Sequence, residues 1–165
     1  MNRDATGSRL MIVCGLPGSG KTTVARALES RLNAIRFCPD EWMEALSLDI
    51  YDEEKRAKVE WLQWDLARRL LRQGQIVIIE WGTWGRSERD ALRKGARELG
   101  AAVELHYLHA SEEALFDRIQ RRAIENPPIT SEDLSRWCVM FQAPTGEEFD
   151  LFDPPLLTDV VFPAG

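Results

Sequence analysis

Positive charge, clustered cysteine or histidine, and long apolar runs are all scarce in this chain, and each shortage removes a class of function. Against 27 acidic residues stand 21 lysines and arginines, for a net charge of −6. No overall field collects nucleic acid or an anionic membrane surface, so neither is expected as a partner. Cys14, Cys38 and Cys138 are widely spaced and form no C-x-x-C pair or Cys/His cluster. They read as small buried apolar residues in a reducing compartment. The two histidines, His106 and His109, fall three apart on an expected strand and so on opposite faces, which argues against a two-histidine metal site. No apolar run could span a bilayer, and residues 1–8 lack the apolar segment of a signal peptide. These eight residues are expected to be a loose end ahead of one cytoplasmic domain, residues 9–165, as a monomer or homodimer. With 165 residues, 44% of them hydrophobic, the chain has the length and apolar content for one core and no room for a second. Internal repeats, low-complexity tracts and an N-K-x-D guanine-reading motif are absent as well.

What is present is organised around GLPGSGKTT: Gly15, Leu16, Pro17, Gly18, Ser19, Gly20, Lys21, Thr22 and Thr23. The apolar run LMIVC precedes it and the helical pattern TVARAL follows. A strand, a glycine loop and a helix in that order are the context a phosphate-binding loop requires. The glycines let successive backbone N–H groups turn around an anion. The helix opening at Lys21 adds free amides and the positive end of its dipole. Lys21 can place a point charge on the β/γ-phosphates, and the Thr22 hydroxyl can coordinate Mg²⁺.

Downstream, residues 34–38 read as a second strand, and Pro39 opens a helix whose first turn holds Asp40. Asp40 thereby falls at the C-terminal edge of the sheet, where ligands bind in open α/β folds. Residues 52–73 form the longest helical pattern, with Val59, Leu62, Leu66 and Leu70 as its inward stripe and Trp61 and Trp64 as packing residues. The run QIVIIE is a buried strand ending in Glu80, which can serve either a metal or the reaction as base or substrate ligand. Trp81 and Trp84 follow on a glycine-rich loop. With Trp42 and Arg86 they are candidates for an acceptor pocket, which would favour a ring-bearing or apolar acceptor over a bare sugar acid. Ser87 to Asp90 read as a capping box. Residues 102–109 read as a fourth strand and Ser111 as the cap of a helix carrying Leu115, Ile119, Arg118, Arg121 and Arg122. A proline-containing break restarts as a helix at Thr130. The pair suggests a lid over residues 118–135, its arginines either reaching over phosphates or forming a solvated basic face. A loop is expected over residues 143–150 and a last strand over residues 156–162.

Taken together, GLPGSGKTT, the FCPDEW stretch, the strand ending in Glu80 with its aromatic loop and RSER behind it, and the arginine helix before the lid resemble the P-loop kinase family. The resemblance is to its adenylate-kinase-like branch, with polynucleotide kinase, zeta toxins, chloramphenicol phosphotransferase and gluconate or shikimate kinases, and it spans roughly residues 9 to 150. It implies a three-layer α/β/α P-loop nucleoside triphosphate hydrolase fold with a mostly parallel sheet of about five strands and a short helical lid. It implies ATP and Mg²⁺ at residues 15–22, Asp40 as the base for an acceptor hydroxyl, and Arg118 and Arg122 as lid arginines on the phosphoryl group or adenine. The expected reaction is transfer of the γ-phosphate to a hydroxyl of a small molecule. A polynucleotide 5′-hydroxyl kinase and an ATP-binding or ATPase module acting through a partner are the alternatives. Met43, where the polynucleotide kinases would carry arginine, argues against a nucleic-acid acceptor.

Overall fold

Strands β1 (Arg9–Cys14), β2 (Ile35–Phe37), β3 (Ile76–Gly82) and β4 (Ala102–Tyr107) form one parallel sheet in the order β2-β3-β1-β4. The computed structural model describes residues 7–124 and 127–159. The expectations for residues 1–6, for the break at 125–126 and for residues 160–162 of the anticipated fifth strand lie outside the described residues. Successive side chains of a strand point to opposite faces, so a run apolar at every position needs cover on both. In β3, Val77 and Ile79 pack with Leu10 and Ile12 on one face, while Ile76 and Ile78 pack with Met11 and Val13 on the other. Helices α3 (Glu53–Arg72) and α4 (Arg86–Arg97) cover the first face through Ala67, Leu71, Leu92 and Ala96. Helix α1 (Lys21–Leu32) covers the second through Val24, Ala25 and Leu28. The result is the three-layer α/β/α architecture of P-loop nucleoside triphosphatases.

The inward stripe of α3 is shifted by one position from the expected one. The buried row is Val59, Gln63, Ala67 and Leu71, while Leu62 and Leu66 are 49% and 39% exposed. Hydropathy places Gln63 outside. Its Oε1 accepts the Trp81 indole N–H at 2.8 Å, while its buried Nε2 has no hydrogen-bond partner among the described residues. Two further boundaries differ. The cap of α4 is Gly85, with Glu88 in the first turn accepting its N–H, so the helix begins at Arg86. The expected loop over residues 143–150 contains the one-turn helix α7 (Gly146–Phe149), capped by Thr145.

Helix α2 (Pro39–Ala45) starts with Pro39 at a position where a missing N–H costs nothing, and sets Asp40 and Glu41 in its first turn. Helices α5 (Glu112–Arg122) and α6 (Ser131–Met140) are capped by Ser111 and by a Thr130–Asp133 capping box. They close a separate cluster in which Leu115, Ile119, Ile129 and Leu134 pack on Leu16 of the glycine loop. At the far edge, Asp153 bonds both the N–H and the C=O of Val103. The Leu156 N–H meets Glu104, whose carboxylate also binds Arg9 and His106. Residues 156–159 therefore lie beside β4 held by side chains, without forming a strand. No helix among the described residues is long and apolar enough to cross a membrane.

One buried ion pair ties α4 to the C-terminal region. Arg89, fully buried, meets Glu148 of α7 in a fork at 2.6 and 2.9 Å. It also donates to the carbonyls of Thr83 at 2.9 Å and Gln142 at 2.8 Å. Removing one partner strands the other charge in the interior, a loss of about 3–5 kcal/mol. Glu148→Ala is therefore expected to lower the melting temperature by roughly 10 °C in a calorimetric scan, on the scaling for a domain of this size.

Candidate active site

The glycine loop runs from the end of β1 into α1, and its tightness has identifiable causes. A Cβ on Gly15 would sit 2.6 Å from the Leu108 carbonyl and from Ser19 Oγ, and one on Gly18, at φ +80°, would sit 2.9 Å from the Leu115 carbonyl. Only glycine lets the loop pass this close to the start of α5. Lys21 Nζ donates to the Leu16 carbonyl at 2.9 Å, folding the side chain back across the loop. Burial lowers the Lys21 pKa to about 8, against the opposing pull of Glu80 and Asp40. Thr22 Oγ1 donates to Glu80 Oε1, which joins the end of β3 to the start of α1. Glu80 Oε2 accepts from Arg36 at 2.8 Å, and Arg36 extends to Glu41 at 2.8 Å and Glu29 at 3.2 Å. These charges hold Arg36 above its usual pKa despite its burial. Among the described residues no cluster of three His, Cys, Asp or Glu is placed to hold a metal ion. The Thr22 hydroxyl and the Glu80 carboxylate, in direct contact, are a pair of hard oxygen donors of the kind Mg²⁺ takes.

A cleft of about 1100 Å³ opens beside the loop. Pro17, Gly18, Gly20, Lys21, Thr22, Thr23 and Glu80 line one end, with Arg118 and Arg122 of α5 above them. Arg118 Nη1 donates to the Gly18 carbonyl at 3.3 Å. Asp40 lines the same cleft with its side chain 60% exposed, paired through Oδ1 to Arg56 at 2.5 Å. Arg56 also meets Glu60 at 3.1 Å. Against the cost of burial, Asp40 and then Glu60 hold the guanidinium above its usual pKa. Burial pushes the Glu60 carboxyl up, opposed by Arg56 and reinforced by Glu88. Trp81, Trp84, Trp61, Trp64 and Trp137 form aromatic walls, the Trp84 and Trp137 rings lying 6.0 Å apart.

The placement of the sequence candidates is therefore uneven. Asp40, Lys21, Thr22, Glu80, Trp81, Trp84, Arg118 and Arg122 border one space, and Leu16 and Ser19 lie in the loop beneath it. Trp42 is not among the lining residues: it packs edge-on against Phe37 in the main core, their ring centroids 5.9 Å apart. Arg86 is absent too, its side chain turned along α4 toward Asp90. Trp61, expected to pack, is 66% exposed on the cleft rim, and Trp64 packs partly against the core while facing the cleft. Arg36, Arg56, Glu60, Glu88 and Trp137 were not singled out from the sequence. The spacing of Glu53, Arg56, Glu60 and Trp64 marks one face of α3 and was the available signal. The thiols of Cys14, pushed up to about 12, and Cys38 are raised by burial, as in unreactive cysteines.

A family profile described as an AAA domain matches residues 10–144. The chain belongs to this AAA domain family. Solved structures share its fold. It is similar to a gluconokinase from Sinorhizobium meliloti 1021 at 22% identity, covering 87% of this chain and 81% of that one, with a TM-score of 0.61. It is similar to Chaetomium thermophilum Kti12 in complex with ADP-AlF3 at 20% identity, covering 88% and 86%, with a TM-score of 0.65. A chain of the Pnkp1/Rnl/Hen1 RNA repair complex aligns at 20% identity over 92% of this AAA domain chain and 48% of its own, with a TM-score of 0.70. No curated protein matches the sequence.

Nucleotide affinity should carry the imprint of Lys21. A phosphate needs the charged amine, and in the free protein that amine is half neutral near pH 8. Binding at higher pH must first take up a proton. The affinity for ATP is expected to be nearly flat from pH 6 to 7 and to fall about tenfold by pH 9, as measured by isothermal titration.

Proposed function

We propose that the domain transfers the γ-phosphate of ATP to a hydroxyl of a small molecule, with Asp40 as general base. The observation that supports this most is that Asp40 and the Lys21–Thr22 end of the glycine loop border one cleft, with apolar room between the aromatic walls for an acceptor. The acceptor oxygen attacks the γ-phosphorus while the bond to the β,γ-bridging oxygen breaks, ADP leaves, and the hydroxyl proton passes to Asp40. Such a loose transition state needs positioning and charge neutralisation more than covalent help. Lys21, the loop amides and the two arginines of α5 supply the neutralisation. Thr22 and Glu80 would hold Mg²⁺, which would supply further charge neutralisation at the phosphates. Arg56 occupies one oxygen of Asp40 and leaves the other to accept the acceptor's hydroxyl.

The polynucleotide kinase alternative is disfavoured by the carboxylates Glu53, Glu60 and Glu88 along the acceptor end, which would repel a phosphodiester chain. ADP release measured with and without a panel of hydroxyl compounds and a 5′-hydroxyl oligonucleotide separates the readings. Stimulation by a small alcohol, with phosphate recovered on it, is the expected result. Release indifferent to every acceptor would leave an ATPase module acting through a partner.

A further inference from the structure

The acceptor end of the cleft carries charge as well as rings, and the two together discriminate among alcohols. Asp40, Glu53, Glu60 and Glu88 border it with Arg56. Arg56 is already engaged by Asp40 and Glu60, so its single charge does not offset all four carboxylates. The carboxylates are close enough that Glu88 and Asp40 both disfavour ionisation of Glu60. Mutual repulsion of this kind is relieved by a cation placed among them. The neighbouring walls are tryptophans, and the faces of indole rings attract ammonium groups through their quadrupoles. Lys21, Arg118 and Arg122 line the same cleft beside the glycine loop.

Resting on the phosphotransfer reading above, we propose that the acceptor is a hydroxyl-bearing amine, protonated at neutral pH and built on an aromatic or other apolar ring. A sugar acid or phosphorylated sugar would meet like charge at Glu53, Glu60 and Glu88. A neutral alcohol would leave the mutual repulsion of those carboxylates unrelieved.

The test uses matched sets of three probes on phenyl, indolyl and naphthyl rings, each with one aliphatic hydroxyl and either an amine, its N-acetyl amide or a carboxylate. Tryptophan quenching gives affinity in the presence of a non-hydrolysable ATP analogue, and ADP release with phosphate recovery gives transfer. The expected result is that the amine binds at least tenfold more tightly than its amide, binds more tightly still at low salt, and alone is phosphorylated. Glu60→Gln with Glu88→Gln should reduce that preference to less than threefold. Equal or better use of the amide or carboxylate would overturn the amine assignment and leave phosphotransfer standing. Turnover of ATP with no probe of any charge phosphorylated would overturn the amine assignment, and the same result across the wider hydroxyl panel would overturn phosphotransfer as well.

Discussion

Lys21→Met is expected to reduce ATP affinity at least a hundredfold and to make the protein more stable at the same time. The first effect follows from the role proposed for Lys21, a charge-assisted contact to the terminal phosphates that the loop amides and the arginines of α5 do not replace. The second follows from the cost of holding that charge in the free protein. Burial lowers the Lys21 pKa from 10.5 to about 8, below its value in the unfolded chain. The unfolded chain therefore binds the proton more strongly, and folding at pH 7 carries the full penalty. Stability recovers only as pH rises from 8 toward 10.5, where both states lose the proton. A neutral side chain of similar length removes the penalty, a gain on the order of 1–3 kcal/mol at pH 7. The Leu16 carbonyl that Lys21 occupies keeps the Ser19 N–H as a partner. Thermal scans at pH 7 and pH 10 check this: the variant should melt several degrees higher at pH 7, with the difference shrinking at pH 10. A lower melting point at neutral pH would mean that the lysine supports the loop instead of straining it.

The sheet and its loop were legible because they depend on local patterns. Runs such as LMIVC and QIVIIE, short and almost wholly apolar, fit strands covered on both faces, and the glycine spacing at residues 15–20 fits a tight loop between strand and helix. What resisted reading was decided between elements. Gln63 is polar in sequence yet buried in space, where it accepts the indole N–H of Trp81, eighteen positions away. Leu62 and Leu66 face outward instead. Trp42 and Trp81 look alike as tryptophans near sheet edges, yet Trp42 points into the core against Phe37 while Trp81 lines the cleft. A three-residue strand before α2 gives no periodicity from which to choose. The charges around the site were hidden for the same reason. Arg36 and Glu80 are 44 positions apart, and only the pairing of β2 with β3 brings them to 2.8 Å.

Asp40→Asn should leave ATP binding within about twofold and lower acceptor phosphorylation by roughly 10²–10⁴, the range for loss of a positioned general base. The amide cannot take the proton, and its NH₂ group would face Arg56 if misoriented, so the carbonyl oxygen must stay toward the guanidinium. That requirement keeps the geometry and isolates the chemistry. Single-turnover transfer with a saturating acceptor separates the outcomes, because a purely structural Asp40 would alter acceptor affinity and leave the chemical step intact. If the step itself is unchanged, the proton must go elsewhere, and the contacts say where to look. Glu80 has one oxygen bonded to Thr22 and the other to Arg36, so it is poorly placed to accept a third hydrogen. Glu60 has one oxygen on Arg56 and a carboxyl made more basic by burial, inside the same cleft. Transfer by Asp40→Asn that survives with its pH dependence moved upward, and is then lost on adding Glu60→Gln, would assign the base to α3 in place of α2.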